Sequence, residues 1–205
     1  MSRTLSIAAA QYPLTAFCDL EEFEVKVTRW VEEAVAKGAE LLVFPEYGSM
    51  ELCAIGGRGL DVMDSLAAVS NLVPEIARVH GALAQKHGVT IVSGSAPQHR
   101  DGRLWNVAHI HGPGGSTHAF DKIMPTPGER SAANISGGRT LKVFDTGKAK
   151  VGLLICYDIE FPLLSRALAE AGAEVILAPS NTELEYGYWR VRTGAMARAL
   201  ENQVY

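Results

Sequence analysis

Three residues whose types suit acyl transfer stand at the ends of three short strand-like runs. Glu46 follows Glu40 to Phe44, Lys122 follows Ser116 to Asp121, and Cys156 follows Val151 to Ile155. A short, continuous apolar run ending in a polar turn reads as a buried strand. In open α/β sheets ligands bind in the crevice outside the carboxyl ends of such strands. Taken alone, Cys156 reads first as a small core hydrophobe, because free cysteine is among the most buried residue types. The other two residues change that balance. A thiol near its free pKa is a modest nucleophile, a nearby carboxylate can generate the thiolate, and an ammonium beside both stabilises the thiolate and a developing oxyanion. The three positions lie 76 and 34 residues apart, so only the fold can bring them together.

The elements that must do so follow from the periodicities. A first strand is expected over Leu5 to Ala10, then a helix from Leu20 to Lys37 with Glu21, Glu22 and Glu24 near its amino end and Gly38 closing it. The stretch from Tyr47 to Leu60 reads as a glycine-rich loop. Leu72, Ile76, Val79 and Leu83 recur at helical spacing and predict a helix from about Asn71 to His87. Val89 to Ser95 reads as a strand, and Leu104 to His111 with Ser116 to Asp121 as a hairpin turning at Gly112 to Gly115. No helix opens after that glycine cluster, which argues against a phosphate loop. A long polar loop is expected from Ile123 to Thr140, and loops of that length inside a compact domain are usually functional. Strands over Leu141 to Phe144 and Lys150 to Ile155, a helix from Pro162 to Ala171, a strand from Glu174 to Pro179 and a helix from Tyr186 to Glu201 complete the order, with Val204 and Tyr205 opening a further strand. No repeat, linker or low-complexity tract interrupts it, so residues 1–205 read as one domain.

The composition narrows the partners. A net charge of −4 gives no basic footprint for nucleic acid, and no run is apolar and long enough to span a bilayer. A small-molecule substrate is therefore expected, with no nucleic acid and no membrane. Cys18, Cys53 and Cys156 form no CxxC pair, which argues against a disulfide framework and fits a reducing, cytoplasmic setting. His109 and His111 share one strand face, and His80 and His87 lie two turns apart on a helix. Neither pair gains a carboxylate or thiol at ligand spacing, so no metal or cofactor is expected. Asp158 and Glu160 read as caps of the helix that follows them, and Arg190, Arg192 and Arg198 as solvated or helix-pairing charges. Asn181 and Thr182, just after a strand end, are either substrate contacts or loop caps.

FPEYG around Glu46, FDKIMPTPGER around Lys122, LICYDIEFP around Cys156 and the closing WRVRTGAMARALENQVY resemble, in order, four recurrent blocks of the nitrilase or carbon-nitrogen hydrolase superfamily. The resemblance implies a four-layer α-β-β-α sandwich in the α/β class, here lacking its C-terminal portion. It also implies roles: Glu46 as general base, Cys156 as nucleophile, Lys122 as the oxyanion-stabilising cation, Glu129 as a second active-site glutamate, and the Tyr157 backbone N–H as a further oxyanion donor. One carboxyl serving as base and then acid is expected to have a pKa above that of free glutamate. Nitrilases usually place Trp-Glu after the cysteine. Tyr157-Asp158 here is more similar to the amidase-type branches, so the resemblance favours an amidase releasing ammonia through a thioester. A carbamoyl-amide hydrolase, a nitrilase, an acyltransferase and a non-catalytic protein keeping the fold are the alternatives. It further implies a homodimer or higher homo-oligomer, formed through the helices after Cys156 and Asn181.

Overall fold

The computed structural model describes residues 4–57 and 61–205. Its strands are β1 (Ile7–Ala9), β2 (Leu41–Val43), β3 (Thr90–Arg100), β4 (Arg103–His111), β5 (Thr117–Asp121), β6 (Ile135–Ser136), β7 (Val143–Asp145), β8 (Lys150–Leu153) and β9 (Val175–Leu177). The α-helices are α1 (Leu20–Ala36), α2 (Val62–His87), α3 (Pro127–Ala133), α4 (Pro162–Glu170) and α5 (Glu185–Asn202). Two 3-10 helices, Gly48–Gly56 and Cys156–Glu160, follow β2 and β8.

Alternation along β2 shows how the layers form. Leu42 packs in a core with Phe23, Val27 and Val31 of α1 and Val69, Ile76 and Val79 of α2. Leu41 and Val43, on the opposite face, join Val92, Ala108 and Ile110 against Val151, Leu153 and Leu177 of the second sheet. The first sheet runs β1-β2-β3-β4-β5 with β6 paired to β4, and the second runs β7-β8-β9. Beyond the second sheet, Leu154, Leu168 and Ala173 pack with Ile176 and Ala195, which seats α4 and α5 on its outer face. The layers are therefore α1 and α2, sheet, sheet, and α4 and α5: a four-layer α-β-β-α sandwich. Strand β8 is buried from Val151 onward because it lies between a sheet and a helix layer. Gly152 is part of that fit, since a Cβ there would meet Leu168 Cδ1 at 2.9 Å.

Three expectations change. Helix α2 starts at Val62, well before Asn71, because Asp61 caps it by accepting from Asp64 N–H and Leu66, Val69 and Val73 extend its buried stripe through Pro74. The stretch from Tyr47 to Leu60 is not simply loop: it carries the first 3-10 helix, while Arg58 to Leu60 lie outside the described residues. The polar run from Ile123 to Thr140 contains α3 and β6. Thr126 and Glu129 form a reciprocal capping box around Pro127, which nucleates a helix inside a segment that reads as loop by composition. Tyr205 hydrogen-bonds along the β9 edge, donating to Glu174 O at 2.9 Å and accepting from Ile176 N–H at 2.7 Å. None of the α-helices among the described residues is long and apolar enough to cross a membrane.

Candidate active site

Glu46 sits three residues past the end of β2, and its position depends on the neighbouring strand. Strand β3 breaks register with β4 between Val92 and Ser95. Within that break Gly94 has φ +75°, and a Cβ on it would lie 2.0 Å from Pro45 O. Only glycine lets the β3 backbone approach Pro45 so closely. Ser95 completes the seat by accepting from Tyr47 N–H at 3.1 Å and, through its carbonyl, from Ser49 Oγ at 3.2 Å. Gly94→Ala is therefore expected to destabilise the protein by roughly 1–3 kcal/mol and to displace Glu46. Urea denaturation checks the first effect, and an unchanged midpoint would contradict it.

Lys122 directly follows β5, with its backbone N–H donating to Asn106 O at 2.8 Å and its side chain 1% exposed. Its Nζ donates to Glu46 Oε1 at 2.8 Å and to Glu129 Oε2 at 2.7 Å. Glu129, in the first turn of α3, also accepts from Thr126 N–H at 2.7 Å, Tyr47 OH at 2.8 Å and Asn106 Nδ2 at 2.9 Å. Four donors saturate that carboxylate. Asn106 Nδ2 donates as well to Glu46 Oε1 at 3.0 Å.

Cys156 follows β8 on a sharp turn, with φ +48°, and its N–H donates to Pro179 O at 3.0 Å. The thiol contacts the Glu46 carboxyl and lies 3.9 Å from Asn181 O. Asn181 N–H donates to Glu46 Oε2 at 3.2 Å. Asp158, 1% exposed, accepts from Ile155 N–H at 3.0 Å, Met124 N–H at 2.6 Å and Ile123 N–H at 3.2 Å. It thus ties the chain just after Lys122 to the turn bearing Cys156, and its role is structural without capping α4. Glu160 is not a cap either. It pairs with Arg190 of α5, and α4 begins at Phe161 and Pro162 without a side-chain cap.

Among the described residues one cation stands between two carboxylates, which leaves the buried cluster one negative charge in excess when both are ionised. Burial raises the Glu46 carboxyl above the ordinary range despite Lys122. Burial pushes Glu129 the same way, but Lys122, Thr126 N–H and Asn106 outweigh it and hold Glu129 low. Lys122 loses from burial and gains more from the two carboxylates, so its pKa is raised. Burial, then the Glu46 charge, pushes the Cys156 thiol up to about 12. The resting thiol is therefore protonated, and its activation requires transfer to a base whose proton affinity is also elevated.

The structure thus joins Glu46, Lys122 and Glu129 by direct hydrogen bonds and sets the Cys156 thiol against Glu46. Tyr157 begins the turn beside the cysteine, its ring edge-on to Phe161 at 5.0 Å. Asn181 is exposed and meets the cluster through its backbone. Thr182 lines a neighbouring cavity of about 300 Å³ with Pro45, Pro179, Tyr188 and Val191. Two members of the cluster, Asn106 and Tyr47, escape a reading of the sequence. A signal for Asn106 exists: Leu104, Asn106, Ala108 and Ile110 alternate on β4, which places a polar side chain on a buried face. No cluster of three or more His, Cys, Asp or Glu residues among the described ones has the arrangement of a metal site. His111 does stack with both His80 and His109, whereas His87 lies beside Glu32.

The sandwich with a carboxylate, lysine and cysteine at adjoining strand ends is the arrangement of a carbon-nitrogen hydrolase. The chain matches that family over residues 6–205 and belongs to it. Among its relatives, a probable hydrolase YhcX of Bacillus subtilis (strain 168) is 35% identical over 202 residues, covering 97% of this chain and 39% of the relative. Omega-amidase NIT2 of Danio rerio is 30% identical over 187 residues, covering 85% of this chain and 63% of that protein. The chain thus spans about two fifths of the first relative's length and under two thirds of the second's. An amidase from Nesterenkonia sp. has the same fold, with a TM-score of 0.74 at 24% identity, covering 98% of this chain and 74% of that one. Mutants of that amidase are known in complex with butyramide and with the acetamide moiety of fluoroacetamide added at the active-site cysteine.

Proposed function

We propose that the protein is an amidase that releases ammonia from a small carboxamide through a thioester on Cys156. The observation that carries this reading is the buried cluster itself, in which Lys122 Nζ binds two carboxylates while the thiol adjoins the one with raised proton affinity. Glu46 takes the thiol proton as Sγ attacks the amide carbonyl carbon. Lys122 and the Tyr157 N–H receive the oxyanion. The tetrahedral intermediate collapses by breaking the C–N bond, and protonated Glu46 gives its proton to the departing nitrogen, leaving a thioester and ammonia. Water, deprotonated by Glu46, then attacks the thioester. Collapse expels the thiolate, which recovers its proton from Glu46, and the carboxylic acid leaves. One carboxyl acts as base and then acid in each half, the use that an elevated pKa favours. Glu129, with all four of its acceptor sites occupied, holds Lys122 and borders the substrate, and Asn181 and Thr182 contribute on the β9 side.

The amide assignment draws on the omega-amidase and amidase names among the relatives and on Tyr157-Asp158 after the cysteine. The test is incubation with a panel of small amides, nitriles and carbamoyl amino acids, reading ammonia release together with the mass of any adduct on Cys156. Cys156→Ala and Cys156→Ser are expected to lower turnover by at least about 10⁴-fold without unfolding the chain. Residual activity within 10-fold of wild type in either variant would remove Cys156 from the mechanism. The proposal extends to a cytoplasmic homodimer joined through α4 and α5. Free Cys18, Cys53 and Cys156 suit a reducing compartment, and Leu163, Met196 and Leu200 are exposed on those two helices.

A further inference from the structure

Asn106 has no solvent exposure, and its side-chain nitrogen and backbone carbonyl are both committed to the cluster. Its backbone carbonyl accepts Lys122 N–H, and its Nδ2 donates to Glu46 Oε1 and to Glu129 Oε1. Its Oδ1, equally buried, accepts from no group of the protein among the described residues. A buried acceptor without a partner costs free energy, and an apolar side chain of the same size would avoid that cost. Packing alone therefore does not account for an amide here, whereas the two donors do. A hydroxyl supplies one donor, a second cation would lower the Glu46 proton affinity that burial raises, and a carboxylate would add a further buried negative charge. An amide is the uncharged side chain that gives one N–H to each of two carboxylates.

We propose that Asn106 is a positioning residue: it anchors Glu46 by one oxygen, so that the other faces the Cys156 thiol, and it holds Glu129 to the same nitrogen. Glu46 Oε1 takes Lys122 and Asn106, Oε2 takes Asn181 N–H, and the thiol adjoins the same carboxyl. The role deepens the amidase reading and rests on it for the identity of the base. Loss of the Asn106 donor leaves Glu46 a stronger base that is less well aimed, so thiol activation weakens and its acid limb moves to higher pH.

The test compares Asn106→Leu and the isosteric Asn106→Asp with wild type. Site-resolved mass spectrometry follows alkylation of Cys156 by iodoacetamide from pH 5 to 10, alongside kcat and KM for the best amide of the panel and a thermal melt. Both variants are expected to shift the acid limb of Cys156 alkylation upward by about one pH unit or more, Asn106→Asp further than Asn106→Leu. They are expected to lower kcat by at least about 10²-fold, with KM within about threefold. An acid limb superimposable on wild type in folded variant protein, or kcat within threefold, overturns the role, even if the melting temperature falls. Alkylation needs no turnover, so the two ideas separate. A shifted limb in a protein that hydrolyses no amide keeps the positioning and discards the amidase. An unshifted limb in an active amidase does the reverse.

Discussion

Lys122→Met should destabilise the protein by about 3–5 kcal/mol at neutral pH and lower amide turnover by at least about 10³-fold. Among the described residues Lys122 is the one cation in hydrogen-bond contact with both Glu46 and Glu129, at 2.8 and 2.7 Å, and its side chain is 1% exposed. Methionine fills similar volume, so the cost comes from charge rather than from a cavity. Two buried carboxylates without their cation hold protons more tightly than in the unfolded chain, and their folded pKa values rise above the unfolded ones. A raised folded pKa favours the native state as pH falls, so the stability gap between variant and wild type should narrow from pH 8 to pH 5. Urea unfolding at the two values measures it. Adding Glu129→Gln to Lys122→Met should return part of the stability and none of the activity. An equal deficit at both pH values, or a Lys122→Met protein that turns over amide at more than a tenth of the wild-type rate, would contradict this account.

The second large effect lies on the far face of the first sheet. His80 of α2 stacks on His111 of β4 at 6.1 Å, His111 on His109 at 6.2 Å, and Phe44 meets His80 edge-on at 5.3 Å. His80 Nδ1 is satisfied by Ile76 O at 2.8 Å, while His111 Nε2 is buried without a partner among the described residues. Burial pushes His80 down to about 4, and burial with the neighbouring imidazoles pushes His111 down to about 3. His109 is lowered too, by burial against the pull of Asp121. The native state keeps these rings neutral, whereas the unfolded chain protonates them near pH 6.5. Their contribution to stability is complete above that value and is lost as pH falls toward the folded values. Each ring costs about 1.4 kcal/mol per pH unit, so His80 and His111 together cost about 3 kcal/mol per unit between roughly pH 6 and 4.5. Asp158, raised by burial to about 6, and Glu46 act in the opposite direction over the same range, so the measurement is a difference. Wild type should lose about 1.5 kcal/mol more than His80→Gln/His111→Gln between pH 7 and 6 and about 2.5 kcal/mol more between pH 6 and 5, read from urea denaturation at the three values. Parallel curves would exclude the histidine stack as the source.

The strands that precede Glu46 and Cys156 were legible because each ends in a local break from apolar to polar residues, and the strand before Lys122 through the glycine turn that pairs it with Leu104 to His111. The layers were legible through the resemblance, and Leu41 to Phe44 show the physical basis of that reading: successive side chains enter different cores. Helix α3 was missed although Thr126, Pro127 and Glu129 spell its capping box, because overall polarity was weighed above three specific positions. The early start of α2 was hidden by Pro74, which suggests a boundary where the helix in fact continues. Asn106, Tyr47 and the contact of Gly94 with Pro45 depend on register between strands and on turns remote in sequence. Nothing in a single stretch marks Tyr47 as the partner of Glu129 across 82 positions. Asp158 reads as structural from the sequence, but its partners Ile123 and Met124 emerge only when the two sheets face each other and bring the ends of β5 and β8 together.

The backbone of Asn181 donates to Glu46 and receives the thiol of Cys156, while the residue two before it accepts the Cys156 N–H. Base and thiol are thus referenced to one short stretch of main chain rather than to each other's parent strands. That stretch follows β9 of the second sheet, so its hydrogen bond to Glu46 ties the first sheet's carboxylate to the turn that bears the thiol. The side chain at 181 is free to diversify with substrate at no cost to that alignment. Proline, which lacks the N–H, is the one replacement the jig cannot accept.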